Sequence, residues 1–254
     1  MKTDTGAIGV LGGVGPYAGI DLMHKIFDLS VASCDQEYPS VIQFSLSEHI
    51  VDRTKYLLGE TTENPGEAIG EIMVRLANAG ATVIGVPCNT AHSPQIMGMA
   101  VERLHREAPN VRFVHMIQAV IASIRDNLPE VKQVGVLSTK GTFATGIYQN
   151  ALAEAGLEAV FPDEAGRDRV QESICNTEYG IKAQANPVTD QARGILLEEA
   201  GKLIDRGVGA IILGCTEIPL ALTEDNLRGV PLVDATKILA RALLQAFAPE
   251  KLKK

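Results

Sequence analysis

Ile8-Gly9-Val10-Leu11 and Val134-Gly135-Val136-Leu137 read as one strand written twice, 126 residues apart. Each is a short, continuous apolar run rich in branched side chains, the pattern of a parallel strand covered on both faces. The first runs into Gly12-Gly13-Val14-Gly15 and then Pro16, a tight turn followed by a helix start. The second runs into Ser138-Thr139-Lys140-Gly141, so that Gly15-Pro16-Tyr17-Ala18 falls on Gly141-Thr142-Phe143-Ala144. Further along, the segments 75–80 and 202–207 align, and at their offset of 127 Cys88 falls on Cys215.

Outward from these copies, strand-like runs are predicted at 7–11, 40–46, 81–87, 111–116, 133–137, 156–161, 210–213 and 230–233. Amphipathic helical runs are predicted at 16–30, 65–79, 94–106, 118–127, 145–155, 190–206 and 235–248, with Ser93 as the cap before Pro94. Strand and helix alternating in this way specify a doubly wound α/β protein. With the repeat, they specify two similar α/β lobes, a parallel sheet in each, and a site in the cleft between them. Lobe one is expected over 1–117, lobe two over 118–230, and residues 231–254 are expected to return to lobe one.

Composition narrows the function. The chain of 254 residues is 46% hydrophobic, 4% aromatic and without Trp, and its net charge is −8. That balance argues against nucleic-acid phosphates, stacked single strands and anionic membranes. No run of about 18 apolar residues could span a membrane, and Met1–Gly6 lacks the long apolar stretch of a signal peptide. Four cysteines, none in a C-x-x-C pair, make neither a disulfide scaffold nor a structural zinc site. Free thiols and an acidic surface suit a cytoplasmic protein.

The two matched cysteines carry the chemistry. Each follows an apolar strand, in 81–88 and 210–215. The carboxyl ends of strands in an open α/β sheet face the ligand crevice, so each lobe offers one thiol to the same cleft. A turn or helix N-terminus there is expected to lower a thiol pKa from its ordinary value near 8.5. A thiolate on one side of a carbon and a thiol on the other suit proton removal from one face and proton delivery to the opposite face. Cys34 and Cys175 have no matched partner. The histidines at 24, 49, 105 and 115 show no metal-ligand spacing, and His92 stands four residues from Cys88, where it either tunes that thiol or holds its loop. Gly13-Val14-Gly15-Pro16-Tyr17-Ala18 fits a dinucleotide fingerprint, but the expected acidic residue does not end the second strand.

Pro87-Cys88-Asn89-Thr90-Ala91-His92 and Gly214-Cys215-Thr216-Glu217-Ile218-Pro219 resemble the two signature segments of the aspartate/glutamate racemase family. The resemblance extends over essentially the whole chain. It includes Leu11-Gly12-Gly13-Val14-Gly15-Pro16, where the family usually has Met in place of Val14. It also includes Asp52-Arg53-Thr54, Ser138-Thr139-Lys140-Gly141-Thr142 with Gly146-Ile147-Tyr148, Ile181-Lys182, and 231–236. It implies that Cys88 and Cys215 are acid/base thiols, with no pyridoxal phosphate, metal or nucleotide. It implies a substrate site drawn from Gly12, Arg53, Asn89, Thr90, Thr139, Thr142, Lys182, Thr216 and Glu217. Arg53 would grip a carboxylate of a dicarboxylic amino acid with its planar fork, unless it forms only a surface ion pair with Asp52 or Glu48. Lys182 would add a second cation, or stand solvated at a helix end. Glutamate racemases carry Asp-Ser after the first strand and His after the second Cys-Thr. Gly12-Gly13 and Glu217 stand there instead, which favours aspartate. The resemblance also suggests a homodimer. A hydantoin racemase or maleate isomerase of the same superfamily, and a non-catalytic amino-acid-binding protein, are the rival readings.

Overall fold

Every predicted strand and helix forms in the computed structural model, which describes residues 6–253. Met1–Thr5, read above for a signal peptide, lie outside the described residues. The first half runs β1 (Ala7–Gly12), α1 (Pro16–Asp28), β2 (Val41–Ser45), α2 (Arg53–Leu57), α3 (Pro65–Asn78), β3 (Ala81–Gly85), α4 (Pro94–Glu107), β4 (Arg112–Val114) and α5 (Met116–Asn127). The second runs β5 (Gln133–Leu137), α6 (Lys140–Ala144), α7 (Ile147–Glu154), β6 (Glu158–Val160), α8 (Glu164–Cys175), α9 (Asp190–Asp205), β7 (Ala210–Leu213), α10 (Ile218–Ala221), β8 (Asn226–Leu227), β9 (Val230–Asp234) and α11 (Ala235–Phe247).

The sheets are β2-β1-β3-β4 and β6-β5-β7-β9-β8. All pairings are parallel except the two-residue edge β8 on β9. β9 pairs with β7, so residues 231–234 lie in the second sheet. It is α11 that packs back on α1, β1 and β3. In both sheets the order reverses between the first and third strands, β1/β3 and β5/β7. Those are the switch points where an open α/β sheet leaves a crevice at its strand C-termini.

Alternation along the strands sorts the core into layers. Ile8, Val10, Val134, Val136, Ala210 and Ile212 face one shared central cluster with α1, α5, α7 and α11. Leu11 and Ile84 face α3 and α4 on one outer side, while Leu137, Ile211 and Leu213 face α8 and α9 on the other. Each of the Val, Leu and Ile side chains contributes roughly 1.5–3 kcal/mol on burial. Gly9 and Gly135, the glycine of each strand copy, face the outer layers. A Cβ on Gly9 would lie 2.9 Å from Ile84 and one on Gly135 would lie 3.2 Å from Leu203 and Ile211. The repeated glycine thus lets an outer side chain close on the strand.

Caps set the helix starts where the sequence offers them: Asp52, Asn64, Thr139, Asp163, Thr189 and Asp234 each accept backbone N–H bonds. Ser93 occupies the predicted cap position before Pro94, but its hydroxyl makes no capping bond and is buried without a partner.

Candidate active site

The loops after the switch-point strands converge. Val14 follows β1, Cys88, Asn89 and Thr90 follow β3, Thr139 follows β5, and Cys215, Thr216 and Glu217 follow β7. With Asp52, Arg53 and Thr54 from the start of α2, and with Lys182, they line one inner chamber of about 10 Å³, the room of a single water. A cleft of about 230 Å³ opens outward from the same residues, walled by Gly13, Gly15, Pro16, Tyr17, Ser47, Ile50, Ile181 and Ala185. Both cysteines are buried and both reach the chamber, one from each lobe.

Hydrogen bonds across the lobes hold these loops together. Tyr148, fully buried, donates its hydroxyl to Asn89 Oδ1 at 2.5 Å. The hydroxyls of Thr90, Thr139 and Thr142 form a triangle, with Thr90 and Thr142 at 2.8 Å. Thr216 Oγ1 donates to the Pro87 carbonyl at 3.2 Å. A Cβ on Gly15, whose φ is +135°, would run into the Glu217 carboxylate, so only glycine lets the first loop close on the second cysteine's segment.

The two thiols stand in different fields. Cys215 Sγ donates to Glu217 Oε2 at 3.0 Å. Burial first, then the Glu217 charge, pushes this thiol well above its ordinary pKa, against the opposing pull of Lys182. The expectation that a loop after a strand lowers both thiols therefore fails at Cys215. Desolvation and an adjacent carboxylate outweigh whatever the start of the four-residue α10 supplies. Cys88 instead has Arg53 as its neighbour. Burial opposes the guanidinium charge, yet Cys88, Asp52 and Glu217 together raise the Arg53 pKa further. Lys182 behaves alike at the exposed mouth: its pKa is raised by Glu217 and Cys215 against the cost of desolvation.

Two buried donors in the lining have no partner: Arg53 Nε and Asn89 Nδ2. Arg53 Nη2 donates to the Val14 carbonyl at 3.2 Å, and no ion pair of Arg53 with Asp52 or Glu48 appears among the described residues. A buried donor left unmade costs about 1–3 kcal/mol, so these two N–H groups are free to bond an acceptor entering the chamber.

Of the residues singled out in the sequence, Gly12 does not line the site. It ends β1 against Gln43, and Gly13, Val14 and Gly15 do the lining. Thr142 acts through its bond to Thr90. The sequence reading missed Thr54 and gave Tyr148 no role. The adjacency of Thr54 to Arg53 could have flagged it, whereas Tyr148 reaches a partner 59 residues away that no local pattern announces. His92 points away from the chamber, and no group of three or more His, Cys, Asp or Glu side chains among the described residues could hold a metal ion. No helix is long and apolar enough to cross a membrane among the described residues.

The model of the Asp/Glu/hydantoin racemase family matches residues 11–243. A broad-specificity amino-acid racemase of Bacillus subtilis is 26% identical over 94% of this chain and 97% of its own length. A glutamate racemase of Aquifex aeolicus is 28% identical over 73% of this chain and 70% of its own. The solved structure of an aspartate racemase from Picrophilus torridus superposes with a TM-score of 0.80 at 28% identity, covering 98% of this chain and 97% of that one.

Proposed function

Because the chain belongs to the Asp/Glu/hydantoin racemase family, we propose that it interconverts L- and D-aspartate by proton transfer between two cysteines. The observation that carries this reading is the single chamber reached by one thiol from each lobe, with two unpaired N–H donors in its wall. In one direction Cys88, as thiolate with Arg53 beside it, takes the Cα proton. The C–H bond breaks and an S–H bond forms. The electron pair spreads into the α-carboxylate, where the unpaired Asn89 Nδ2 and Arg53 Nε supply preorganised donors. Cys215, held as a thiol by burial and Glu217, gives its proton to the opposite face. The reverse direction exchanges the roles. With Arg53 at the α-carboxylate, Lys182 gives the cleft the cation for a second carboxylate.

The 28% identical aspartate racemase supports aspartate. A wider amino-acid range is the second reading. It is favoured by the outer cleft of about 230 Å³, whose Pro16, Tyr17, Ile50 and Ile181 could receive longer side chains, and by the broad-specificity relative. The test is incubation of the purified protein with L-aspartate, L-glutamate and a panel of other L-amino acids, followed by chiral chromatography. D-aspartate is the expected product. Absence of a D-isomer from every substrate would overturn the racemase reading, and a D-isomer from other amino acids alone would replace aspartate by the wider range.

A further inference from the structure

His92 is buried, lies outside the chamber, and is used by nothing in the mechanism. Its ring nonetheless makes two defined bonds. The backbone N–H of Met116 points at Nε2 at 3.2 Å, and a backbone N–H only donates, so Nε2 accepts. The proton is therefore on Nδ1, which donates to the carbonyl oxygen of Cys88 at 2.8 Å. The ring packs in an aromatic cluster, stacked on Phe113 at 5.8 Å and edge-on to His115 at 4.7 Å. Burial, and then His115, lower its pKa to about 3, so it stays neutral and this tautomer persists.

The two partners belong to different parts of the machine. Cys88 is in the loop after β3, while Met116 is the first residue of α5, the helix that joins the lobes and packs against α7 and α11. We infer that His92 is a positioning residue: a neutral clamp that fixes the main chain of Cys88 to the start of the inter-lobe helix and so aims its sulfur into the chamber. This rests on the assignment of Cys88 as an acid/base thiol. A misplacement of about 1 Å in a proton-transfer pair is enough to cost on the order of a hundredfold in rate.

The test uses three replacements in the full chain. His92→Leu removes both bonds. His92→Asn keeps a donor at the Nδ1 position for the Cys88 carbonyl, and His92→Gln keeps an acceptor at the Nε2 position for Met116. Racemisation kinetics are measured alongside site-resolved alkylation of each cysteine, read by mass spectrometry. His92→Leu is expected to lower kcat at least tenfold with KM within twofold, and to change the alkylation rate of Cys88 at least threefold while leaving Cys215 unchanged. His92→Asn is expected to recover most of the loss and to exceed His92→Gln, a ranking that also decides the matter if His92→Leu fails to fold. Wild-type kcat in His92→Leu, alkylation of both cysteines shifting together, or His92→Gln equal to His92→Asn would each overturn the clamp. Racemisation surviving in Cys88→Ser would instead overturn the cysteine assignment beneath it, so the two failures are distinct.

Discussion

Cys215 donates its thiol proton to Glu217 Oε2 across 3.0 Å, while Cys88, its counterpart in the other lobe, faces the Arg53 guanidinium. The pseudo-repeat thus brings two identical side chains into opposite fields. Replacing Glu217 by Gln removes the negative charge but not the burial, so the Cys215 pKa should fall toward its ordinary range. Site-resolved alkylation between pH 6 and 10 checks it. Cys215 in the wild type should react slowly, and in Glu217→Gln its rate at pH 8 should rise on the order of tenfold, one pKa unit being about 1.4 kcal/mol. An unchanged rate would remove Glu217 from the control of this thiol.

Arg53 brings an unpaired buried Nε and a guanidinium charge to the lining. Arg53→Ala should lower kcat/KM for aspartate by the worth of a charged hydrogen bond, about 1.5–3 kcal/mol or roughly ten- to 150-fold. Arg53→Lys should restore only part, because the planar fork is lost. Urea melts of both variants should stay near wild type. Unaltered steady-state kinetics in Arg53→Ala would make the residue a bystander.

Each thiol should serve one face of the substrate. Replacing either by Ser leaves a much weaker base, and net racemisation should collapse in both single mutants. In D₂O the remaining thiol can still remove and return a proton on its own side. Family resemblance assigns Cys215 to L-aspartate and Cys88 to D-aspartate. Cys88→Ser should therefore exchange the Cα proton of L-aspartate with retained configuration, and Cys215→Ser that of D-aspartate. NMR with chiral analysis reads both. Near-normal racemisation in either mutant is incompatible with the two-thiol scheme.

Burial of neutral His92 also links stability to pH. Its folded pKa, about 3, lies below the ordinary 6.5, so the unfolded chain binds the proton first as pH falls. The stability from this residue is complete above about pH 6.5 and is lost progressively from there toward pH 3, at up to about 1.4 kcal/mol per pH unit. Urea unfolding at intervals from pH 7.5 to 4 should show a shallower decline for His92→Asn than for the wild type. Parallel declines would place the acid sensitivity elsewhere.

The strands were legible because a two-sided buried strand has little choice of composition, and the cysteines because they end matched strands. Helix α8 was not. Its sequence is mostly polar, its buried positions are Gly166, Val170, Ser173 and Ile174, and only two of these are strongly apolar. Its one local signal was Asp163 as a cap. The protonation of Cys215 was misread because the dipole of a following helix can be guessed from sequence, whereas the burial that outweighs it depends on tertiary packing. The bonds of Tyr148 and Thr216 were out of reach because their partners are 59 and 129 residues away in the other lobe. His92 was visible as a residue near Cys88, but its partner on α5 was not.

The last helix completes the first sheet. Ile8, Val10 and Val83 lie in a cluster closed by Leu239, Ala240, Leu243 and Leu244 of α11, and a Cβ on Gly85 would meet Leu243 at 2.8 Å. During synthesis, therefore, α1 can cover β1 and β2 early, but the inner face of β3 and β4 lacks its helix until residues 235–247 have left the ribosome. Native pairing across so long a separation is slow to form, and half-made chains of this protein are the species most prone to self-association and most in need of a chaperone.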